Sequence, residues 1–172
     1  MRRLGVLAAL VLLLLGGCAG GPPARVWAAS VCSALSPWRA ELDSLTTKAQ
    51  QQANAAPNSA QAKENLVRLF DGAQKSTEAA RSKVEAAGVP DVDNGKKIAT
   101  SFVATLAAVR DAYAHAKDGV SGLGVDDPKT FSDGVATVLT TLNSEYAKSS
   151  TDLTNLDSVE LKKAFDEVPE CM

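Results

Sequence analysis

Histidine occurs once in this chain, at position 115. Ser-His-Asp or Cys-His catalysis would therefore require this one residue. Aromatic residues make up only 5% of the sequence, so the core must be built mainly from alanine, valine and leucine. Basic charge is not in excess. The formal net charge is −2, leaving neither the electrostatic footprint of a nucleic-acid binder nor a basic patch for anionic lipid. No glycine loop suits a phosphate, because Gly122-Leu123-Gly124 lacks the lysine and hydroxyl residue of a P-loop. Asp91-Val92-Asp93-Asn94-Gly95 approaches a calcium loop. Its glycine comes one position early, and Ser101 stands where a glutamate is required. Helix capping accounts better for those acids, and no metal or cofactor is expected.

What is present begins with Arg2 and Arg3, the apolar run Leu4 to Leu15, then Gly16-Gly17 and Cys18. The order is that of a secretory signal: a positive start, a short hydrophobic stretch and small residues at the cleavage point. The run is too short for a spanning helix, which needs roughly 20 apolar residues. Gly5 breaks the apolar pair expected after a twin-arginine export motif, so the general secretory route is expected. With cysteine directly after the small residues, the segment resembles the lipobox of bacterial lipoproteins. The resemblance implies a signal peptide over 1–17 and cleavage before Cys18. It also implies a diacylglyceryl (palmitate-type) anchor on the Cys18 sulfur, and a location on the outer face of the cell membrane. The alternatives are an ordinary signal peptide with a chance cysteine, or an uncleaved anchor.

Removing residues 1–17 from 172 leaves 155, one domain's worth, and losing Arg2 and Arg3 takes the formal charge from −2 to −4. With Cys18 given to lipid, Cys32 and Cys171 remain. Outside the cytoplasm such a pair is most simply a disulfide, the alternative being two buried free thiols. Closing a loop of 139 positions (171 less 32) stabilises by about 5 kcal/mol on the chain-entropy account.

Residues 18–25 read as a tether, small and rich in glycine and proline, and 26–172 as the domain. Within the domain, period-two alternation is absent and helical spacing prevails. The first segment carries Val31, Leu35, Trp38, Leu42, Leu45 and Ala49. Ser36-Pro37 inside it predicts an end near Leu35 and a restart at Pro37. After a turn at Asn54 to Asn58, a second helix from Ser59 to Ala87 turns Leu66, Leu69, Phe70, Ala73, Thr77, Ala80 and Val84 inward. Asp91 or Asp93 is the expected cap of a third helix with Ile98, Phe102, Leu106, Val109, Tyr113, Ala116 and Val120. Gly119 to Asp127 reads as a flexible connection, with Asp127-Pro128 opening a fourth helix. That helix carries Phe131, Val135, Val138, Leu139, Leu142, Tyr146, Leu153 and Leu156. A short last helix starts at Asp157, buries Leu161, Ala164 and Phe165, and stops at Val168-Pro169.

The pattern predicts an all-α fold: an up-down-up-down four-helix bundle with a short C-terminal helix, closed by Cys32–Cys171. The cysteine end, with the Gly88–Asp93 turn, would face the membrane. The Asn54–Asn58 turn and the 119–127 loop would point away. Trp27 is expected either at the membrane interface or, with Trp38, filling the bundle end. His115, flanked by Asp111 and Asp118, is expected to be solvated. The mature region, with its two terminal cysteines, Ser-Pro-Trp helix entry and Val-Pro-Glu-Cys ending, resembles small alanine-rich helical lipoproteins of high-GC Gram-positive bacteria. The expected role is a non-enzymatic module binding an envelope protein or cell-wall component through Val125, Asp126, Asp127 and Lys129, with no nucleic-acid partner. The alternative is a carrier of a small apolar ligand, held between Arg81–Ala87 and Ala104–Ala116.

Overall fold

The computed structural model describes residues 20–56, 58–149 and 158–172. Among them the chain is all-helical, with no strand. The helices are α1 (Ala24–Ala55), α2 (Ser59–Ala86), α3 (Gly95–Ser121), α4 (Pro128–Ser149) and α5 (Val159–Glu167). A 3₁₀ turn over Pro169–Cys171 ends the fold.

Helix α1 does not break at Ser36-Pro37. It runs 32 residues with Pro37 inside. Proline removes one backbone donor and crowds the preceding turn, at a cost of about 3 kcal/mol. Packing on both sides of the proline offsets this. Trp27, Val31 and Leu35 before it and Trp38 after it belong to one core cluster. The spacing of eleven between the tryptophans thus does put both on one face of one helix.

The helix starts differ from expectation in instructive ways. Asn58 caps α2 through its side chain, which accepts from Gln61 N–H at 2.9 Å. Neither Asp91 nor Asp93 caps α3. Asn94 holds that position in the left-handed region, φ 58°, with no side-chain cap. The preceding turn is built from backbone: Asp91 N–H donates to Pro22 O and Gly95 N–H to Val92 O. A Cβ on Gly95 would lie 2.1 Å from Pro90 O, so only glycine fits there. Ser158 caps α5 by accepting from Leu161 N–H, and Asp157, the expected start, lies outside the described residues.

Helix α3 continues through Gly119, so the connection to α4 is shorter than the glycines suggest. A Cβ on Gly119 would sit 3.0 Å from Val138 Cγ2, which makes Gly119 a contact point for α4 and not a hinge. Asp127 does cap α4, accepting from Thr130 N–H at 3.1 Å.

Side-chain contacts join α1 to α2, α2 to α3 and α3 to α4. Trp27 reaches Gly88 and Trp38 reaches Thr77 between α1 and α2. Glu78 meets Arg110, and Gln74 meets Lys117, between α2 and α3. His115 meets Glu145 between α3 and α4. The main core lies at the cysteine end, where Trp27 stands edge-on to Phe102 and Phe165. The two phenylalanine rings stack on each other. A second cluster at the other end gathers Phe70, Ala116 and Val120, with Leu66, Leu69 and Tyr113 partly buried beside them. Of the apolar stripe on α4, Phe131 is buried, Val135, Val138 and Leu142 are half-buried, and Leu139 and Tyr146 are exposed. Leu153 and Leu156 lie outside the described residues. No helix among the described residues is long and apolar enough to cross a membrane.

Candidate functional site

Three places hold the residues that the sequence singles out. The first is the cysteine end. Cys32 and Cys171 are bonded, S–S 2.01 Å with Cα atoms 5.0 Å apart. Cys18 lies outside the described residues. Helix α1 begins at Ala24, inside the stretch read as tether, and Gly20 to Pro23 lie against the α2–α3 turn. Pro22 O accepts from Asp91 N–H at 2.9 Å. A Cβ on Gly21 would fall 1.7 Å from Val89 O, and one on Gly20 would fall 3.1 Å from Asp91 Oδ2. Glycines are required there because the two backbones touch. The sequence signal was present, but composition alone reads the same glycines as slack.

Trp27 fills the core of this end. It is fully buried, with its indole N–H donating to Gly88 O at 2.9 Å. Trp38 is half-buried and donates to Thr77 Oγ1 at 3.0 Å. Thr77 in turn donates to Ala73 O, so the buried hydroxyl has both a donor and an acceptor to satisfy it.

The second place is His115. Its ring is largely exposed, and Nδ1 lies 3.2 Å from Glu145 Oε2 on α4. Asp111 is turned to Arg110 instead, at 2.7 Å. Glu145, 30 residues away on another helix, carried no sequence signal as a partner of His115. The groove between α3 and α4 at this point is about 200 Å³, with Thr137, Thr141 and Leu142 on its α4 side. Among the described residues, no group of three or more histidine, cysteine or acidic side chains is placed to hold a metal ion.

The third is the loop over 122–127 with the start of α4. Val125 is half-buried, and Asp126, Asp127 and Lys129 are exposed. Asp127 is committed to its cap: the Thr130 hydroxyl, then the Thr130 and Lys129 N–H groups, hold its carboxyl below the usual aspartate range. Lys129 Nζ pairs with Asp133 at 2.6 Å. Lys63 Nζ donates to Leu123 O at 2.8 Å and ties the loop to α2.

Half-buried charges on α2 and α3 form a network, with Glu78 between Arg81 and Arg110. The Arg81 guanidinium, helped by Arg110, draws the Glu78 carboxyl down to about 2. Burial, with Tyr146 nearby, pushes the Tyr113 phenol up to about 12. A shallow groove of about 360 Å³ runs between α2 and α3, lined by Val89, Ala99, Val103, Ala104 and Ala107 among others. Compared with protein-family models, curated proteins and solved structures, the chain matches none of them.

Proposed function

We propose that the chain is an extracytoplasmic lipoprotein, anchored through Cys18, whose mature part is an up-down-up-down helical bundle that binds an envelope protein or cell-wall component without catalysing a reaction. The observation that carries the reading is the Cys32–Cys171 bond. A disulfide between the first and last helical segments belongs to an oxidising compartment. It leaves Cys18, directly behind a signal-like segment, as the one cysteine outside that bond. The opposed order of the contacts between α1 and α2, and between α2 and α3, supports the bundle topology. The binding surface we assign is the end remote from the anchor, where Asp126 and Lys129 are exposed beside the outer face of α4.

The test is crosslinking of the acylated protein in living cells, with Cys18→Ala as control, followed by identification of what is attached. Asp126→Ala with Lys129→Ala should abolish capture of the partner while leaving the helical signal intact. Asp127 is left unaltered because its loss would damage the α4 cap. Undiminished capture by that double variant would remove the assignment to this end.

One observation favours a second reading, a carrier of a small apolar molecule: the valine- and alanine-lined groove between α2 and α3. Native mass spectrometry of the purified protein separates the two readings, since a carrier retains a ligand mass that Val103→Glu abolishes.

A further inference from the structure

The anchor and the fold are separated by less chain than the composition suggests. If Cys18 carries the lipid, as proposed above, only Ala19 stands between it and the first docked residue, Gly20, a span of at most roughly 7 Å when fully extended. From Gly20 on, the backbone is pinned. Gly21 lies against Val89 O with no room for a side chain, and Pro22 O accepts from Asp91 N–H. Trp27, one turn into α1, fastens that helix to Gly88 of the same turn. The strap formed by Gly20 to Pro23, the first turn of α1 and the α2–α3 turn are therefore one rigid end.

That end also exposes large apolar side chains. Val26, in the first turn of α1, is 55% exposed, and Val89, in the turn that clamps the strap, is 44% exposed. The charges around them are mixed: Lys83, Lys96 and Lys97 stand among Glu85, Asp91 and Asp93, all exposed. Such a rim gives no preference for an anionic surface.

We infer that this end is a seat on the membrane: Val26, Val89 and the strap rest on the headgroup region of the leaflet that holds the Cys18 lipid. The occupant of the surface is that leaflet, because a single residue between Cys18 and Gly20 leaves the end no other neighbour. Seating depends on the anchor and on apolar contact, not on lipid charge. Helix α1, at 32 residues and 1.5 Å per residue, then reaches about 48 Å from the seat, so the opposite end is held out from the bilayer at a fixed distance. A domain on a loose tether would sweep through all orientations instead.

The experiment uses the acylated protein in phosphatidylcholine vesicles containing a lipid with a headgroup nitroxide. Val89→Cys, and separately Ala60→Cys at the far end, are labelled with a fluorophore; each is the sole free thiol in a chain with the disulfide intact and Cys18 acylated. Quenching several-fold stronger at position 89 than at 60, unchanged by salt or by added anionic lipid, is the expected result. Inserting about six Gly-Ser residues between Ala19 and Gly20 frees the tether without touching the packed strap, and should bring quenching at 89 down toward the level at 60. Equal quenching at the two positions in the uninserted protein, or no response to the insertion, overturns the seat while leaving the anchor standing. The intact mass of the same preparation reads the anchor itself: absence of the diacylglyceryl mass removes both the lipoprotein reading and the seat.

Discussion

The indole N–H of Trp27 donates to the carbonyl of Gly88 at 2.9 Å, joining two residues 61 apart in sequence. Gly88 itself adopts φ 76°, a conformation that glycine enters without the penalty other residues carry. The bond therefore locks the reversal between α2 and α3 to the first turns of α1. The same indole packs edge-on against Phe102 and Phe165, so one side chain holds four segments of the fold together.

Trp27→Phe keeps an aromatic ring but loses the donor and part of the volume. A cost of about 1–3 kcal/mol is expected from the lost hydrogen bond and the residual cavity. In a domain of this size each kcal/mol lowers Tm by about 2–4 °C. Thermal melting followed by circular dichroism measures it, and an unchanged Tm would show that the indole is not the fastening.

Pro37→Ala should act in the opposite direction. The alanine supplies the backbone N–H that proline lacks and relieves the crowded turn, for a gain of about 1–3 kcal/mol. A rise in the urea midpoint at constant slope is the expected reading. No change would mean that α1 is curved at Pro37 in a way its packing requires.

The Glu78 carboxylate makes stability depend on pH. Its acidity is drawn from the ordinary value of 4.5 to about 2 by the Arg81 hydrogen bonds first and Arg110 second. A depressed acid stabilises the folded state fully above its unfolded value, and that contribution is lost as pH falls through the folded value. The loss should therefore fall between about pH 4.5 and pH 2. Glu78→Gln should flatten that limb of the stability profile and leave the region above pH 6 parallel to the original. An equally steep limb in the variant would assign the acid response to other carboxylates.

Asp127→Ala removes the cap of α4 and is expected to cost about 1 kcal/mol. Among the described residues of α4 only Phe131 is buried, so the loss should be local. Hydrogen exchange should accelerate at Thr130 and Phe131 and stay unchanged in α2. Protection that is intact in the first turn of α4 would show that packing on α3 suffices without the cap.

The helical class, the first turn and the cysteine pairing are legible in the sequence: the first two are set by local chemistry, and the pairing follows because two cysteines remain once Cys18 is set aside. Apolar spacing fixed the faces of α2 and α3, and proline and asparagine marked the first turn. The misreadings share a cause. Pro37, Asp91 and Gly119 each have a local preference, and each is decided by a distant neighbour. Packing on α2, α3 and α5 carries α1 past Pro37, the strap at Pro22 takes the Asp91 N–H, and Val138 needs the space at Gly119. The pairing of His115 with Glu145 belongs to the same class, since nothing local connects positions on two different helices. Glycine was the most ambiguous letter. At positions 20 and 21 it signals close contact, although its composition is that of a linker.

The bond between Cys32 and Cys171 also decides how a mechanical load travels. Tension applied between the N-terminal end of the chain and Met172 would run from the strap along the first part of α1 to Cys32, cross the sulfurs and leave through the last residue. The residues between the two cysteines, which stand 139 positions apart, lie off that path. Helices α2, α3, α4 and α5 are thereby hung from the side of a short covalent link, and a pull that frays the first turns of α1 leaves the rest of the chain unextended.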